Sequence, residues 1–273
     1  MECRITPGRV RIGDFQLYYE RVGVGPALIF LHGLGGNHLS WWQQVPYFMR
    51  WFECITLDQR SFGLSPDPGN LFNAAHPGDL AHLLDELRID QAVLIGQSMG
   101  GWTIVGYASE HPERVAAMVM ADTHGGIITP AIAETFAARR LRPLAEPPIV
   151  GTLPTYAIDY FVRDPAMAFL YDDLRIMGAQ PPIDAMQRLA ARRYDLAAVR
   201  ERLKMPILCL VGEEDELIPP AAIRILAQAL PDGRLATVPH CGHSVYFERP
   251  EAFNQLVLGF LREIGYGAKE DQR

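Results

Sequence analysis

Ala92-Val93-Leu94-Ile95-Gly96-Gln97-Ser98-Met99-Gly100 is the stretch of sequence that decides the fold. Its apolar first half predicts a buried strand, and the residues after Ser98 predict a helix. A strand, a Gly-x-Ser-x-Gly turn and a helix in this order are typical of a nucleophile elbow, which exposes a serine hydroxyl at the top of a sheet. Gly96 and Gly100 let the neighbouring chain pass close to Ser98, because glycine lacks a Cβ atom. The alternative is a tight turn whose serine only caps a helix.

Strand-sized apolar runs alternate with helix-like segments on both sides of this turn. A hairpin is predicted first, with Val10–Ile12 and Phe15–Glu20 flanking Gly13-Asp14. The further predicted strands are Ala27–Leu31, Cys54–Leu57, Ala92–Ile95, Arg114–Ala121, Ile207–Val211 and Arg234–Val238. The predicted helices are Trp41–Trp51, Asp79–Leu87, Gly100–Glu110, Ala221–Leu230 and Pro250–Ile264. Continuous apolar strands separated by helices predict an α/β fold, with a mostly parallel sheet covered on both faces.

The alternation stops between about Thr123 and Met205, where prolines separate short helix-like pieces. These pieces are Ala131–Leu141, Tyr156–Val162, Pro165–Met177 and Ile183–Tyr194. We therefore predict one core domain from residues 1–123 and 206–273, with residues 124–205 inserted as a helical cap or lid. Its aromatic side chains suit a greasy or ring-containing substrate, although they could equally form a small core of the insertion itself.

Composition excludes several classes of function. The chain has 273 residues, of which 49% are hydrophobic and 21% charged, and its net charge is −7. Without a cluster of Lys and Arg, we expect no nucleic-acid partner. The apolar runs are too short to span a bilayer, so we expect no membrane association. Four scattered cysteines and no apolar signal core predict a cytoplasmic protein without a metal site. A monomer and a homodimer are both compatible with the sequence.

A serine hydroxyl needs a base within hydrogen-bonding reach, and the base needs an orienting carboxylate. Asp215 lies in the loop after the predicted strand Ile207–Val211, and His243 lies in the loop after Arg234–Val238. Loops after parallel strands meet at the carboxyl edge of the sheet, where ligands bind in open α/β folds. The chain order Ser98, Asp215, His243 also matches the order expected of a serine hydrolase on such a sheet.

Two residues compete for these roles. His240 precedes His243 by three positions, but it follows Pro239 and lacks the glycine-histidine context, which favours a place at the rim. Asp122 directly follows the predicted strand Arg114–Ala121 and reaches the same edge, so it is the alternative acid. Its structural interpretation is a turn or a helix cap before the insertion.

From about residue 10 to 265 the chain resembles the α/β-hydrolase fold enzymes of the esterase, lactonase and carbon–carbon-bond hydrolase group. Besides the elbow, the resemblance rests on motifs in family order. They are His32-Gly33-Leu34-Gly35-Gly36, Asp58-Gln59-Arg60-Ser61-Phe62-Gly63-Leu64-Ser65, Val211–Pro219, Gly242-His243-Ser244 and Glu248-Arg249-Pro250-Glu251. Ser61 departs from the family pattern, which more often has glycine there.

The resemblance implies an oxyanion hole formed by the backbone N–H groups of Leu34 and Met99. It implies hydrolysis of a small carboxylic ester or lactone by Ser98, His243 and Asp215 through an acyl-enzyme, without a cofactor. The alternatives are cleavage of a carbon–carbon bond in a diketone-like acid and, from a different class, a non-catalytic ligand-binding protein. The candidate pocket residues are Gly33, Trp102, His124, Tyr156 and Tyr160. A substrate carboxylate would need a cationic anchor, for which the candidates are Arg60, Arg139, Arg140, Arg163 and Arg175.

Overall fold

The computed structural model describes residues 4–140 and 155–267. Its strands are β1 Thr6–Ile12, β2 Phe15–Val22, β3 Ala27–Leu31, β4 Glu53–Leu57, β5 Ala92–Gln97, β6 Val115–Ala121, β7 Ile207–Gly212 and β8 Gly233–Val238. Its α-helices are α1 Val45–Phe48, α2 His76–Glu86, α3 Gly100–Glu110, α4 Pro130–Arg140, α5 Tyr160–Arg163, α6 Pro165–Arg175, α7 Ala185–Ala191, α8 Leu196–Arg202, α9 Pro220–Ala229, α10 Val245–Glu248 and α11 Pro250–Glu263. Within these ranges, no helix combines the length and the apolar composition needed to cross a bilayer.

All eight strands form one sheet in the order β1-β2-β4-β3-β5-β6-β7-β8. Strand β2 runs antiparallel to β1 and β4, and every other neighbouring pair is parallel. Strands β3, β5 and β7 are buried at every position, because helices cover both faces of a parallel sheet. The predicted α/β class with a mostly parallel sheet is therefore confirmed.

The two faces of the sheet carry separate hydrophobic clusters. Because side chains alternate along a strand, Ala92 and Leu94 of β5 point to the face covered by α2, α3 and α9. Val93 and Ile95 point to the opposite face, which is covered by α11 and the buried Trp41. This two-sided burial holds the central strands in register and leaves their carboxyl ends free to carry loops.

The helix predicted over Trp41–Trp51 is wrong. Asn37 caps a short 3₁₀ turn at His38–Trp41. Helix α1 begins separately at Val45, has Pro46 in its first turn and is only one turn long. Proline in the first helical turn lacks the N–H that a continuous helix would need. Between β6 and β7 the described residues form the five helices α4 to α8. The last of these helices, Leu196–Arg202, was not predicted, and Leu141 of the first predicted piece lies outside the described residues.

Five of the strands end at one edge, and each is followed by a residue of the predicted site. Gly33 and Leu34 follow β3, and Ser98 follows β5. Three further residues follow the next strands across the sheet, namely Asp122 after β6, Asp215 after β7 and His243 after β8. Residues far apart in sequence are thus brought to one rim by the parallel arrangement.

Candidate active site

Ser98 occupies a strained turn between β5 and α3. Its φ angle is +47°, in the left-handed region that a side chain rarely adopts. A Cβ on Gly96 would lie 2.7 Å from the Gly100 carbonyl carbon, and a Cβ on Gly100 would collide with the Leu31 carbonyl oxygen. The turn is therefore closed to larger residues at both glycines. The Ser98 N–H donates to the Ala121 carbonyl at 2.9 Å, which ties the turn to β6.

The Ser98 hydroxyl points to a histidine that is itself held by a carboxylate. Ser98 Oγ lies 2.8 Å from Nε2 of His243, and Nδ1 of His243 lies 2.8 Å from Oδ2 of Asp215. The other carboxylate oxygen of Asp215 accepts the N–H groups of Leu217 and Ile218, each at 2.8 Å. A carboxylate facing Nδ1 keeps the proton on that nitrogen, so Nε2 is free to accept from the serine.

Asp122 lies at the same edge but points its carboxylate at backbone groups. Its oxygens accept the N–H groups of Gly212 and Val245, each at 3.1 Å. Burial, together with the charge of nearby Asp215, raises the pKa of Asp122 well above its ordinary value. Asp122 therefore ties the end of β7 to the segment after His243, while only Asp215 contacts the imidazole. Asp122 also has a left-handed backbone, with a φ angle of +50°, in the bend that follows β6.

His240 points away from the site. Its side chain is 79% exposed and lies 3.4 Å from a carboxylate oxygen of Glu214. His243, by contrast, is buried, with only 4% of its side chain exposed. Of the two histidines in this loop, only His243 lies within hydrogen-bonding distance of Ser98.

Of the two predicted oxyanion donors, Met99 directly follows Ser98, and Leu34 follows Gly33, whose added Cβ would lie 3.1 Å from Ser98 Cβ. Within the described residues, the N–H groups of Leu34 and Met99 donate to no other backbone group, so both remain available for a ligand oxygen. His32 holds the Leu34 loop: Nδ1 donates to the Gly33 carbonyl at 2.8 Å, and Nε2 accepts the Gln59 N–H at 3.0 Å. Burial lowers the pKa of His32 to about 4, which keeps the imidazole neutral and suits this pair of bonds.

Gln97 contributes to the site, although our sequence analysis assigned it no role. Its side-chain amide is buried and donates to the His243 backbone carbonyl at 2.8 Å. A side chain on Gly33 would collide with the amide oxygen of Gln97. Gln97 thus joins the strand before Ser98 to both the histidine loop and the Leu34 loop. Its place beside Ser98 in the elbow motif is the one signal that could have pointed to it.

A narrow cavity of about 10 Å³ opens beside the Leu34 loop, with room for about one water molecule. Its walls come from the loop after β3, the elbow, the insertion and α10. The lining residues are Gly33, Leu34, Gly36, Ser40, Gln97, Tyr171, Leu174, Arg175, Tyr246 and Phe247. Of the five predicted pocket residues, Gly33 is the one that lines this cavity. Helix α6 of the insertion forms another part of the cavity wall.

The other four predicted pocket residues lie elsewhere around the site. Trp102 donates from its indole to the Arg192 carbonyl at 2.9 Å, and its ring meets His124 edge to face at 4.6 Å. Tyr156 donates to Asp172 at 3.2 Å, and its ring packs 5.6 Å from the buried Tyr160. None of the four lines the cavity beside Leu34, so their contact with a substrate stays a prediction.

The candidate cationic anchors differ in their partners. Arg60 is buried and binds both oxygens of Asp79, at 2.8 and 2.6 Å. Arg139 pairs with Glu216, and Arg163 pairs with Asp159 at 2.8 Å. The side chain of Arg140 lies outside the described residues. Among the described side chains, no carboxylate lies within 4.0 Å of the Arg175 guanidinium, and its buried Nε has no partner.

Three of the four cysteines lie within the described residues. Cys54, Cys209 and Cys241 are free and buried, and burial raises the pKa of the Cys241 thiol, which keeps it protonated. The remaining cysteine, Cys3, lies outside the described residues. In the described part of the chain, no group of three His, Cys, Asp or Glu side chains is arranged to hold a metal ion.

The eight-stranded, mostly parallel sheet, the elbow at Ser98 and the loops at the carboxyl edge are those of an α/β-hydrolase fold protein. The family model described as alpha/beta hydrolase fold matches residues 26–250. The chain belongs to this family.

Individual relatives cover almost the whole chain. It is 31% identical to 3-oxoadipate enol-lactonase 2 of Acinetobacter baylyi, over 92% of this chain and 95% of that protein. It is 27% identical to 2-hydroxy-6-oxo-6-phenylhexa-2,4-dienoate hydrolase of Comamonas testosteroni, over 92% of this chain and 93% of that protein. Among solved structures, a thermophilic esterase from Thermogutta terrifontis superposes with a TM-score of 0.77 at 25% identity, over 95% of this chain and 99% of that one.

Proposed function

We propose that this protein is a serine hydrolase that cleaves a small carboxylic ester or lactone with Ser98, His243 and Asp215. The observation that carries the proposal is the unbroken chain of two 2.8 Å contacts from Ser98 Oγ through the His243 imidazole to Asp215. The esterase and lactonase relatives support the same chemistry. A protein that only binds a ligand has no need of a buried carboxylate that orients a histidine toward a strained serine.

The first half of the reaction forms an acyl-enzyme. Ser98 Oγ bonds to the carbonyl carbon while its proton passes to Nε2 of His243. The carbonyl oxygen becomes an oxyanion, which the N–H groups of Leu34 and Met99 stabilise where water is excluded. The tetrahedral intermediate then collapses, the carbon–oxygen bond to the alcohol breaks, and the proton on Nε2 passes to the departing oxygen.

The second half returns the enzyme to its starting state. A water molecule gives its proton to Nε2 of His243 as its oxygen attacks the acyl carbon. The oxyanion forms again at the same two N–H groups, and the bond between the carbon and Ser98 Oγ breaks. Ser98 recovers its proton from His243, and the carboxylic acid leaves. Asp215 stays ionised throughout and stabilises the imidazolium in both halves.

Turnover of p-nitrophenyl acetate by wild type and Ser98→Ala tests this proposal. We expect Ser98→Ala and His243→Ala to lower kcat by up to about 10⁶-fold. A fluorophosphonate should attach covalently to Ser98, as mapped by mass spectrometry. Attachment at another residue, or equal turnover by wild type and Ser98→Ala, would contradict the assignment. Tight ligand uptake without turnover of esters, lactones or dienones would favour the binding protein instead.

A second candidate is cleavage of a carbon–carbon bond in a diketone-like acid by the same residues, with Arg175 as the cationic anchor for the substrate carboxylate. The guanidinium lies over the Leu34 loop, since a Cβ on Gly35 would be 3.1 Å from its Nε. It lines the cavity shared with Leu34 and Gln97, and its described polar contact is a 3.3 Å hydrogen bond to Thr155.

A guanidinium without a carboxylate partner in a partly buried site is suited to binding a carboxylate, which it can hold through two hydrogen bonds. The substrate would therefore carry an anionic group on the side of the Leu34 loop. The relative named for a dienoate supports this candidate, because a dienoate is the anion of a carboxylic acid. A carboxylate-bearing ester or lactone would satisfy the same anchor, so Arg175 decides the charge of the substrate rather than the bond that is cleaved.

A further inference from the structure

Glu248 is a buried carboxylate at the end of α10, and its side chain is fully enclosed. Both of its oxygens accept backbone N–H groups. Oε1 accepts from Gly242 at 3.0 Å and from Ser244 at 3.3 Å, and Oε2 accepts from Ala157 at 3.0 Å and from Gly242 at 3.1 Å. A buried charge is tolerated only when hydrogen bonds replace its hydration, and here three backbone groups do so.

Two of these groups flank His243 in the chain. The carboxylate therefore holds the N–H groups of the residues on both sides of His243, the residue that contacts Ser98. His243 itself is tied on its carbonyl to Gln97 and on its ring to Asp215. Since the imidazole direction follows from the backbone that carries it, Glu248 helps to set where Nε2 points.

The third group belongs to the insertion, so the same carboxylate spans two parts of the molecule. The backbone of Ala157 packs directly on Gly242, where an added Cβ would collide with the Ala157 nitrogen. The hydroxyl of Ser244 donates to the Thr155 carbonyl at 2.6 Å and lies 2.9 Å from the Tyr171 hydroxyl. Insertion and histidine loop thus share a dense set of hydrogen bonds with Glu248 at its centre.

The contacts identify the ionised form of Glu248. Each oxygen faces donors, and a proton on either oxygen would point at an N–H group. Arg163 lies 4.0 Å away and adds a positive charge on the side of the insertion. Burial raises the pKa of Glu248 above its ordinary value, against the N–H groups and Arg163, which lower it.

We propose that Glu248 is a positioning residue for His243, and that it couples the placement of the insertion to the approach of the imidazole toward Ser98. The proposal rests on the function given above, because it assumes that His243 acts as the base. Glu248 touches no reacting atom. Its effect is on geometry, and a misplacement of about 1 Å near the chemistry can cost about 100-fold in rate.

The test compares Glu248→Gln with Glu251→Gln, an exposed glutamate in the first turn of α11 that serves as the matched control. Glutamine offers one acceptor oxygen and turns an NH₂ group toward backbone donors, so the loop must shift. We expect Glu248→Gln to react with a fluorophosphonate about 10- to 100-fold more slowly than wild type. Its KM for p-nitrophenyl acetate should stay within about threefold, so that the loss falls on kcat.

A spectroscopic measurement separates positioning from general destabilisation. The proton on Nδ1 of His243, held by Asp215, should give a downfield ¹H NMR signal that moves or broadens in Glu248→Gln and is unchanged in Glu251→Gln. Wild-type labelling rate and an unshifted signal in folded Glu248→Gln would overturn the proposal. If Glu248→Gln does not fold, Glu248→Asp keeps the charge but is one methylene shorter. A wild-type labelling rate in that variant would equally overturn it.

The two proposals fail in different ways. If the fluorophosphonate does not label Ser98 in wild type, the proposed function fails. The NMR signal of His243 would still show whether Glu248 sets the imidazole position. If wild type is labelled and Glu248→Gln is labelled at the same rate, only the positioning role fails.

Discussion

His243 Nδ1 lies 2.8 Å from a carboxylate oxygen of Asp215, whose other oxygen is held by two backbone N–H groups of its own loop. Asp122, at the end of the neighbouring strand, uses both oxygens on the backbone of Gly212 and Val245. Of these two buried carboxylates at one edge, Asp215 faces the imidazole and Asp122 joins two loops.

This division predicts different effects of the same substitution. Asp215→Asn should lower kcat for p-nitrophenyl acetate by about 10³- to 10⁴-fold, because asparagine no longer holds the Nδ1 tautomer. Asp122→Asn should lower kcat less than tenfold but reduce the free energy of unfolding by about 1–3 kcal/mol, since one backbone N–H loses its acceptor. Steady-state kinetics and urea unfolding measure the two effects. A larger kcat loss in Asp122→Asn would move the orienting role to that residue.

Gly33→Ala is expected to damage activity through the Leu34 loop. The added methyl group would collide with the Gln97 amide oxygen and lie 3.1 Å from Ser98 Cβ, so the Leu34 N–H must shift. Loss of one oxyanion donor typically costs about 10²- to 10³-fold in kcat, and we expect a loss approaching that range. Gly259→Ala in α11 is the control: its Cβ meets no atom within 4 Å. That control should keep wild-type kcat and gain about 0.5–1 kcal/mol of stability.

Arg175→Gln should discriminate between charged and neutral substrates. A charge-assisted hydrogen bond contributes about 1.5–3 kcal/mol. We therefore expect kcat/KM for a carboxylate-bearing ester or dienone to fall about 10- to 100-fold, with less than threefold change for p-nitrophenyl acetate. Arg188→Gln is the control, because Arg188 of α7 pairs with Asp184 and does not line the cavity. Equal losses on both substrates would show that Arg175 supports the structure and does not select an anion.

The pair of His38 and Asp58 predicts a pH-dependent contribution to stability. Burial alone would lower the pKa of His38, but the 2.8 Å contact with Asp58 and the charge of Glu20 raise it above 6.5. Burial alone would raise the pKa of Asp58, yet its bonds to His38 and Leu64 lower it below 3.8. The stabilisation is therefore fullest between pH 3.8 and pH 6.5, which are the ordinary pKa values of the two groups. It is lost as pH rises through the pKa of His38 or falls through that of Asp58.

His38→Gln measures this contribution. The variant should lose about 2 kcal/mol of unfolding free energy at pH 5, and a smaller amount at pH 9, because the stabilisation falls as pH rises toward and through the raised pKa of His38. His82→Gln is the control, since His82 is exposed on α2. Urea unfolding at both pH values gives the comparison. A difference between wild type and His38→Gln that grows from pH 5 to pH 9 would contradict the assignment of a charged pair.

Much of the fold follows from local patterns. Apolar runs such as Ala27–Leu31 and Ala92–Ile95 are strands because every side chain along them is buried between helices. The helix Gly100–Glu110 begins and ends where the pattern predicts. The segment Trp41–Trp51 failed because its apolar residues fit a helix, while the Asn37 cap and Pro46 divide it into two short turns.

By itself, the sequence determined the fold class, the elbow at Ser98 and the placement of Asp122, Asp215 and His243 at one edge. Glycine sterics and hydrophobic periodicity act over a few residues, so they can be read locally. Only the tertiary structure decided that Asp215 faces the imidazole, that Arg175 has no acidic partner among the described residues, and that Glu248 joins the histidine loop to Ala157. Those relationships are hydrogen bonds and charge pairs between side chains and loops from separate elements. Their geometry exists only once the sheet and the insertion have packed together.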